Sequence, residues 1–169
     1  KHIVSKEAFN IDGLGKKVVE QFWDLNLIKE PSDIFNLNYD KIKKLEGWGV
    51  LSINNLKKAI KKSQTISLDR FIFSVGIRHI GQENAKILAS FFISIKEFTK
   101  LFDLKNRKKI LVYLIELDGI GETQIQSLDN FFSNETNTKI IKNLIKKLDI
   151  RNFIIKTNDG KFSNKRLMF

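Results

Sequence analysis

Four short runs in this 169-residue chain pair glycine with a single apolar residue. They are Ile11-Asp12-Gly13-Leu14-Gly15, Leu45-Glu46-Gly47-Trp48-Gly49, Ile77-Arg78-His79-Ile80-Gly81 and Leu117-Asp118-Gly119-Ile120-Gly121, the third having His79 where the others have a first glycine. The chemistry they offer is anion binding. Glycine accepts positive φ and lets a ligand's backbone approach where a Cβ would otherwise stand. If a helix opens directly after the turn, its first N–H groups lack intrahelical partners and sit at the positive end of the helix dipole. Phosphate suits such a place. One Gly-x-Gly turn alone is an ordinary way to end a helix. Here the closing glycines fall at 15, 49, 81 and 121, at intervals of 34, 32 and 40 residues, which marks an internal repeat.

Cations stand within or directly after two of the runs. Lys16 and Lys17 fall in the first helical turn after Gly15, where the dipole prefers acids, and so predict a bound anion. Arg78 takes the slot held elsewhere by Asp12, Glu46 and Asp118. Its planar fork suits phosphate, and Arg78 is the expected strongest single contact. The three acids are expected to hold their turns by bonding turn amides. The candidate contact set is Gly13, Leu14, Gly15, Lys16 and Lys17 in the first unit, and Gly47, Gly49 and Ser52 in the second. The third contributes Arg78, His79, Gly81 and Asn84, and the fourth Gly119, Ile120, Gly121 and Thr123. A net charge of +11 and a pI near 9.8 point to a polyanionic partner, nucleic acid above all.

Bond-making chemistry finds no support. No nucleophile, base or metal set is recognisable, so no catalytic residue is assigned. With no cysteine the chain forms no disulfide and no cysteine-ligated zinc site, and His2 and His79 are its only histidines. No apolar run reaches the length of about 18 residues that a membrane-spanning helix needs.

Helices must position these turns. Apolar residues recur at helical intervals after each closing glycine: Val18, Val19, Phe22 and Trp23; Ile53, Leu56 and Ile60; Ala85, Leu88, Ala89 and Phe92; Ile125, Leu128, Phe131 and Phe132. Each unit reads as helix, tight turn, helix, with Leu14, Trp48, Ile80 and Ile120 tucked between the helices. Ser5 is the expected cap of a helix over 6–11, followed by a helix over 16–26. Pro31-Ser32-Asp33 breaks the chain before a short helix at 40–45 and a longer one ending near Lys62. Ser63-Gln64-Thr65 reads as a linker, and Ser67 caps a helix through Val75. A short helix spans 94–102. Residues 106–117 are apolar all round at Ile110 to Ile115 and are placed at the centre of the second half. The fourth turn's helix ends near Phe132, and a last helix directs Ile141 and Leu144 inward and Lys142 and Lys146 outward. From Asp149 the pattern is extended, with a turn at Asn158-Asp159-Gly160. The chain begins at Lys1 and ends at Phe169, which reads as a segment of a longer protein.

The runs from His2 to Gly15 and from Gly76 to Gly81, with the order of all four units, resemble the helix–hairpin–helix domain of bacterial NAD-dependent DNA ligases. The resemblance covers about residues 1–150. It implies an all-α fold of four tandem helix–hairpin–helix units in two pseudo-symmetric pairs. It also implies an extended C-terminal tail over 151–169 that begins a BRCT-like domain, with a first strand at Phe162–Phe169. The implied function is binding of double-stranded or nicked DNA by backbone phosphates of the minor groove, without sequence reading, in replication and repair. NAD, a divalent metal such as magnesium and a structural zinc would belong to the full-length ligase and none to these residues. A bacterial cytoplasmic, nucleoid-associated monomer is the further implication. Trp48, Val50-Leu51 and Glu122-Thr123 depart from the family pattern and predict a weaker phosphate grip at the second and fourth turns. Lys156-Thr157-Asn158-Asp159-Gly160 is one residue too long for a nucleotidyl-transfer signature. Lys57 and Lys58 lie on an exposed face with no downstream aspartate to make a glycosylase site. The alternatives are a module of a repair nuclease or Holliday-junction protein, and a protein-interaction domain.

Overall fold

A computed structural model describes residues 2–155. The expected turn at Asn158-Asp159-Gly160 and the strand at Phe162–Phe169 lie outside them. The described residues form nine α-helices, short 3-10 segments and one two-stranded parallel ribbon. In order these are α1 (Lys16–Asp24), α2 (Tyr39–Lys43), α3 (Val50–Ser63), β1 (Thr65–Ser67), α4 (Leu68–Ser74), α5 (Gln82–Phe92), α6 (Ile95–Phe98), α7 (Leu104–Leu114), α8 (Glu122–Ser133), α9 (Glu135–Ile145) and β2 (Asp149–Arg151).

The helices that follow the four turns begin where the apolar periodicity predicts. Ile53, Leu56 and Ile60 of α3 are buried, as are Ala85, Leu88, Ala89 and Phe92 of α5. Other expectations are corrected. No helix forms over 6–11: the chain makes a 3-10 turn at His2–Val4 and then turns, and the Ser5 hydroxyl is buried without a partner among the described residues. The α1 helix stops at Asp24 because Asn26 takes φ 60°, with Leu27 N–H donating to the Phe22 carbonyl and Asn26 N–H to Trp23. That is a Schellman cap built on asparagine. Trp23, expected inside, is 57% exposed. Pro31 opens a 3-10 segment, Pro31–Asn36, rather than only breaking the chain.

Two departures from the sequence pattern share one cause. The segment read as a linker ends in β1, whose partner is β2, with Thr65 opposite Asp149 and Ser67 opposite Arg151. A three-residue strand has no periodicity to read, and its pairing spans more than 80 positions. The Ile110–Ile115 stretch is not buried all round, since Val112 and Tyr113 are each 66% exposed. The centre of the second half is instead Phe98, fully buried, with ring centroids 6.4 Å from Phe71, 5.4 Å from Phe92 and 5.6 Å from Phe132. Edge-to-face packing of this kind is favourable beyond the area it buries.

Long-range bonds knit the chain together. Arg70 of α4 donates to the carbonyls of Lys6 and Ala8, and Gln64 donates to the Lys147 carbonyl. Asn143 of α9 donates to Glu30, and Phe153 N–H to Ile93, so the chain beyond β2 is still fixed to the helical body.

Candidate nucleic-acid interface

The four turns repeat one geometry. In each, the residue between the glycine positions donates its N–H to the carbonyl three residues back: Leu14 to Ile11, Trp48 to Leu45, Ile80 to Ile77 and Ile120 to Leu117, at 3.1–3.3 Å. The residue before it takes positive φ, 85° at Gly13, 84° at Gly47, 65° at His79 and 89° at Gly119. That is the third position of a type II turn, which needs glycine or a tolerant substitute. The middle side chain turns inward. Leu14, Ile80 and Ile120 are buried, and half-buried Trp48 packs on Phe22 of α1 at 5.7 Å between centroids. Leu14 and Ile120 were expected as contacts. Their side chains are in the core and their amides close the turns.

The closing glycines behave differently. Gly15, Gly49, Gly81 and Gly121 are the N-caps of α1, α3, α5 and α8, with φ between −81° and −120°. Any residue adopts that backbone. A Cβ at Gly15 or Gly49 meets nothing within 4 Å, and at Gly81 or Gly121 it meets only the end of a polar side chain. Nothing inside the fold demands glycine at these places. A partner whose own backbone comes close would demand it.

The helix starts supply the donors, with one correction. In three of the four units the glycine N–H is already bonded to the third residue of its own helix: Gly49 to Ser52 Oγ (2.9 Å), Gly81 to Asn84 Oδ1 (3.2 Å) and Gly121 to Gln124 Oε1 (2.9 Å). The open amides there are those of the first helical residues that follow. Ser52 and Asn84, expected as contacts, are thereby engaged within the protein. In the first unit Val18 replaces the capping side chain, and Gly15 shows no side-chain cap.

Charge separates the units. Lys16 and Lys17 are exposed beside Gly15, and Arg78 and His79 are exposed at the tip of the third turn. Arg78 forms no ion pair or hydrogen bond among the described residues. The second turn has Glu46 with exposed Val50 and Leu51, and the fourth has Asp118, Glu122 and Thr123, all exposed. Asp12, Glu46 and Asp118 bond no turn amide among the described residues, contrary to expectation, because their side chains point to solvent.

The turns also meet in twos. A Cβ at Gly13 would stand 4.0 Å from Leu56 of α3, and Trp48 rests on α1. A Cβ at Gly119 would come within 2.6 Å of Ile87 of α5. Asn84 Nδ2 donates to the Gly119 carbonyl at 2.9 Å, and Gln124 Nε2 to the His79 carbonyl at 3.5 Å. Gln124 escaped the sequence reading. An amide side chain at the third position of both α5 and α8 was its only visible signal.

Comparison with known proteins agrees with this geometry. Residues 70–141 match the model of a family described as the helix-hairpin-helix motif. The chain is 52% identical over 168 residues to a DNA ligase of Pelagibacter ubique, covering 99% of the chain and 24% of that ligase. It is 42% identical to a DNA ligase of Wolbachia pipientis, covering 100% of the chain and 26% of the ligase. It is 43% identical to one of Rickettsia prowazekii, covering 90% and 23%. The chain thus spans about a quarter of the length of the curated relatives it matches. Over nearly its whole length it is similar to that quarter of these DNA ligases, and the helix-hairpin-helix match lies within it.

Proposed function

We propose that the chain is the DNA-binding part of a bacterial NAD-dependent DNA ligase, holding intact or nicked duplex by its phosphates without reading bases. The observation that supports this best is the set of four closing glycines. Each is exposed, each adopts a backbone open to any residue, and each stands at a helix N-terminus with room for a Cβ. Close approach of an anionic backbone accounts for all four at once. The four units act as two pairs, first with second and third with fourth, each pair straddling a minor groove. Lys16 and Lys17 in one pair, and Arg78 and His79 in the other, supply most of the grip. The second and fourth turns, which are apolar or acidic at their tips, contribute less.

In this reading residues 1–150 are the DNA-binding domain and 151–169 lead into a BRCT-like one, in a cytoplasmic monomer. NAD, a divalent metal and zinc serve other parts of the ligase. Cysteine is absent, so a cysteine-ligated zinc would find no ligands in this chain.

The test is fluorescence anisotropy on intact, nicked and four-way-branched DNA of equal length. Similar affinity for intact and nicked duplex is expected. A marked preference for the branched substrate would instead favour a junction or nuclease module, and no binding at low salt would favour a protein-interaction domain.

A further inference from the structure

The third and fourth turns are tied by two side chains that each do two things. Asn84 accepts the Gly81 N–H through Oδ1 at 3.2 Å and donates through Nδ2 to the Gly119 carbonyl at 2.9 Å. Gln124 accepts the Gly121 N–H through Oε1 at 2.9 Å and donates through Nε2 to the His79 carbonyl at 3.5 Å. Gly119 and His79 are equivalent positions of their turns. The ties are therefore reciprocal: each helix start caps its own turn and holds the tip of the other. A primary amide places acceptor and donor on separate atoms of one group, so it can cap one turn and reach the other.

The first two units lack this device. Val18 has no polar group, and Ser52 bonds only to its own Gly49, accepting from N–H at 2.9 Å and donating to the carbonyl at 3.1 Å. The tie therefore accompanies a tip with two unusual features. His79 is a non-glycine residue at φ 65°, and Arg78 beside it is exposed. A left-handed histidine is a strained choice that persists where its surroundings enforce it. The fourth turn carries Asp118 and Glu122 and no cation, so it is poorly suited to phosphate on its own account.

We infer that the fourth turn is a brace for the third: Asn84 and Gln124 are positioning residues that fix the Arg78–His79 tip before DNA arrives. The inference rests on the phosphate-binding reading. Its benefit is pre-organisation, since a tip ordered in advance does not lose that freedom on binding.

Asn84→Ser and Gln124→Ser are the informative substitutions, because Ser52 shows that serine keeps the cap within its own turn. The double variant of the full chain is expected to bind duplex about three- to tenfold more weakly, the change expected for loss of about one net hydrogen bond. In an Arg78→Ala background the same pair of changes should cost less than about twofold, since the braced cation is gone. A merely structural role would give the same loss in both backgrounds, and that result, or unchanged affinity of the double variant, overturns the inference. Amide hydrogen exchange provides a readout without DNA. Exchange at Ile80 and Gly81 should quicken in Gln124→Ser, and unchanged exchange there would overturn the brace even if the parent chain bound no DNA. Failure of the parent chain to bind would instead count against the phosphate-binding reading alone.

Discussion

Arg78 and Arg107 show how differently one residue type is used in this chain. Arg107 is almost fully buried, and its guanidinium bonds Asp129 at 2.9 Å, the Leu101 and Phe132 carbonyls, and the Ser133 hydroxyl. It joins the start of α7 to the end of α8 and donates to two backbone carbonyls in the interior. Arg107→Ala should therefore lower stability by about 3 kcal/mol in denaturant unfolding. A change below about 1 kcal/mol would contradict the clamp. Arg78 is exposed at a turn tip, so Arg78→Ala should leave the melting temperature alone and weaken duplex binding by about 1–3 kcal/mol, with no change in sequence preference. Wild-type affinity in that variant would remove the role given to Arg78. The sequence made Arg78 legible because it replaces an acid in a repeated slot. It hid Arg107, since nothing local distinguishes a clamping arginine from a surface one.

At the scale of the helix–turn–helix element, the two glycine positions make opposite predictions. Gly119 has φ 89° and Ile87 in the space of its missing Cβ, so Gly119→Ala should destabilise the fold by roughly 1–3 kcal/mol. Gly15 has an extended backbone and empty space around it. Gly15→Ala should alter stability by less than about 1 kcal/mol, the scale of an N-cap change, while weakening duplex binding clearly in anisotropy. Loss of stability without loss of binding at Gly15 would mean that the fold, and no partner, selects glycine there. The turn geometry was legible because positive φ, a buried middle residue and a helix start are local demands written in five residues. The ties between turns were not, because Asn84 and Gln124 act across 35 and 45 positions. The same limit hid the β1–β2 ribbon and exposed one side of α7: whether Val112 and Tyr113 are covered depends on neighbours that periodicity does not name.

Over the whole molecule, a core shared by both halves and a basic surface are combined with turn tips of unequal charge. The hydrophobic core runs without a break from Ile3 to Leu144, and the β1–β2 ribbon joins the middle of the chain to its far end. That continuity makes the four tips parts of one body, as phosphate binding along a duplex needs. The overall charge of +11 supports attraction to any polyanion, and the distribution among the tips supports the proposed grip at the first and third turns. The central claim is that phosphates are held there by Lys16, Lys17 and Arg78. The most direct measurement is duplex affinity across a range of salt concentrations, for the parent chain and for Arg78→Ala. The log–log slope should be about −3 or steeper, near −0.9 for each phosphate neutralised, and shallower by about one in the variant. A flat salt dependence, or the same steep slope in both proteins, would contradict it.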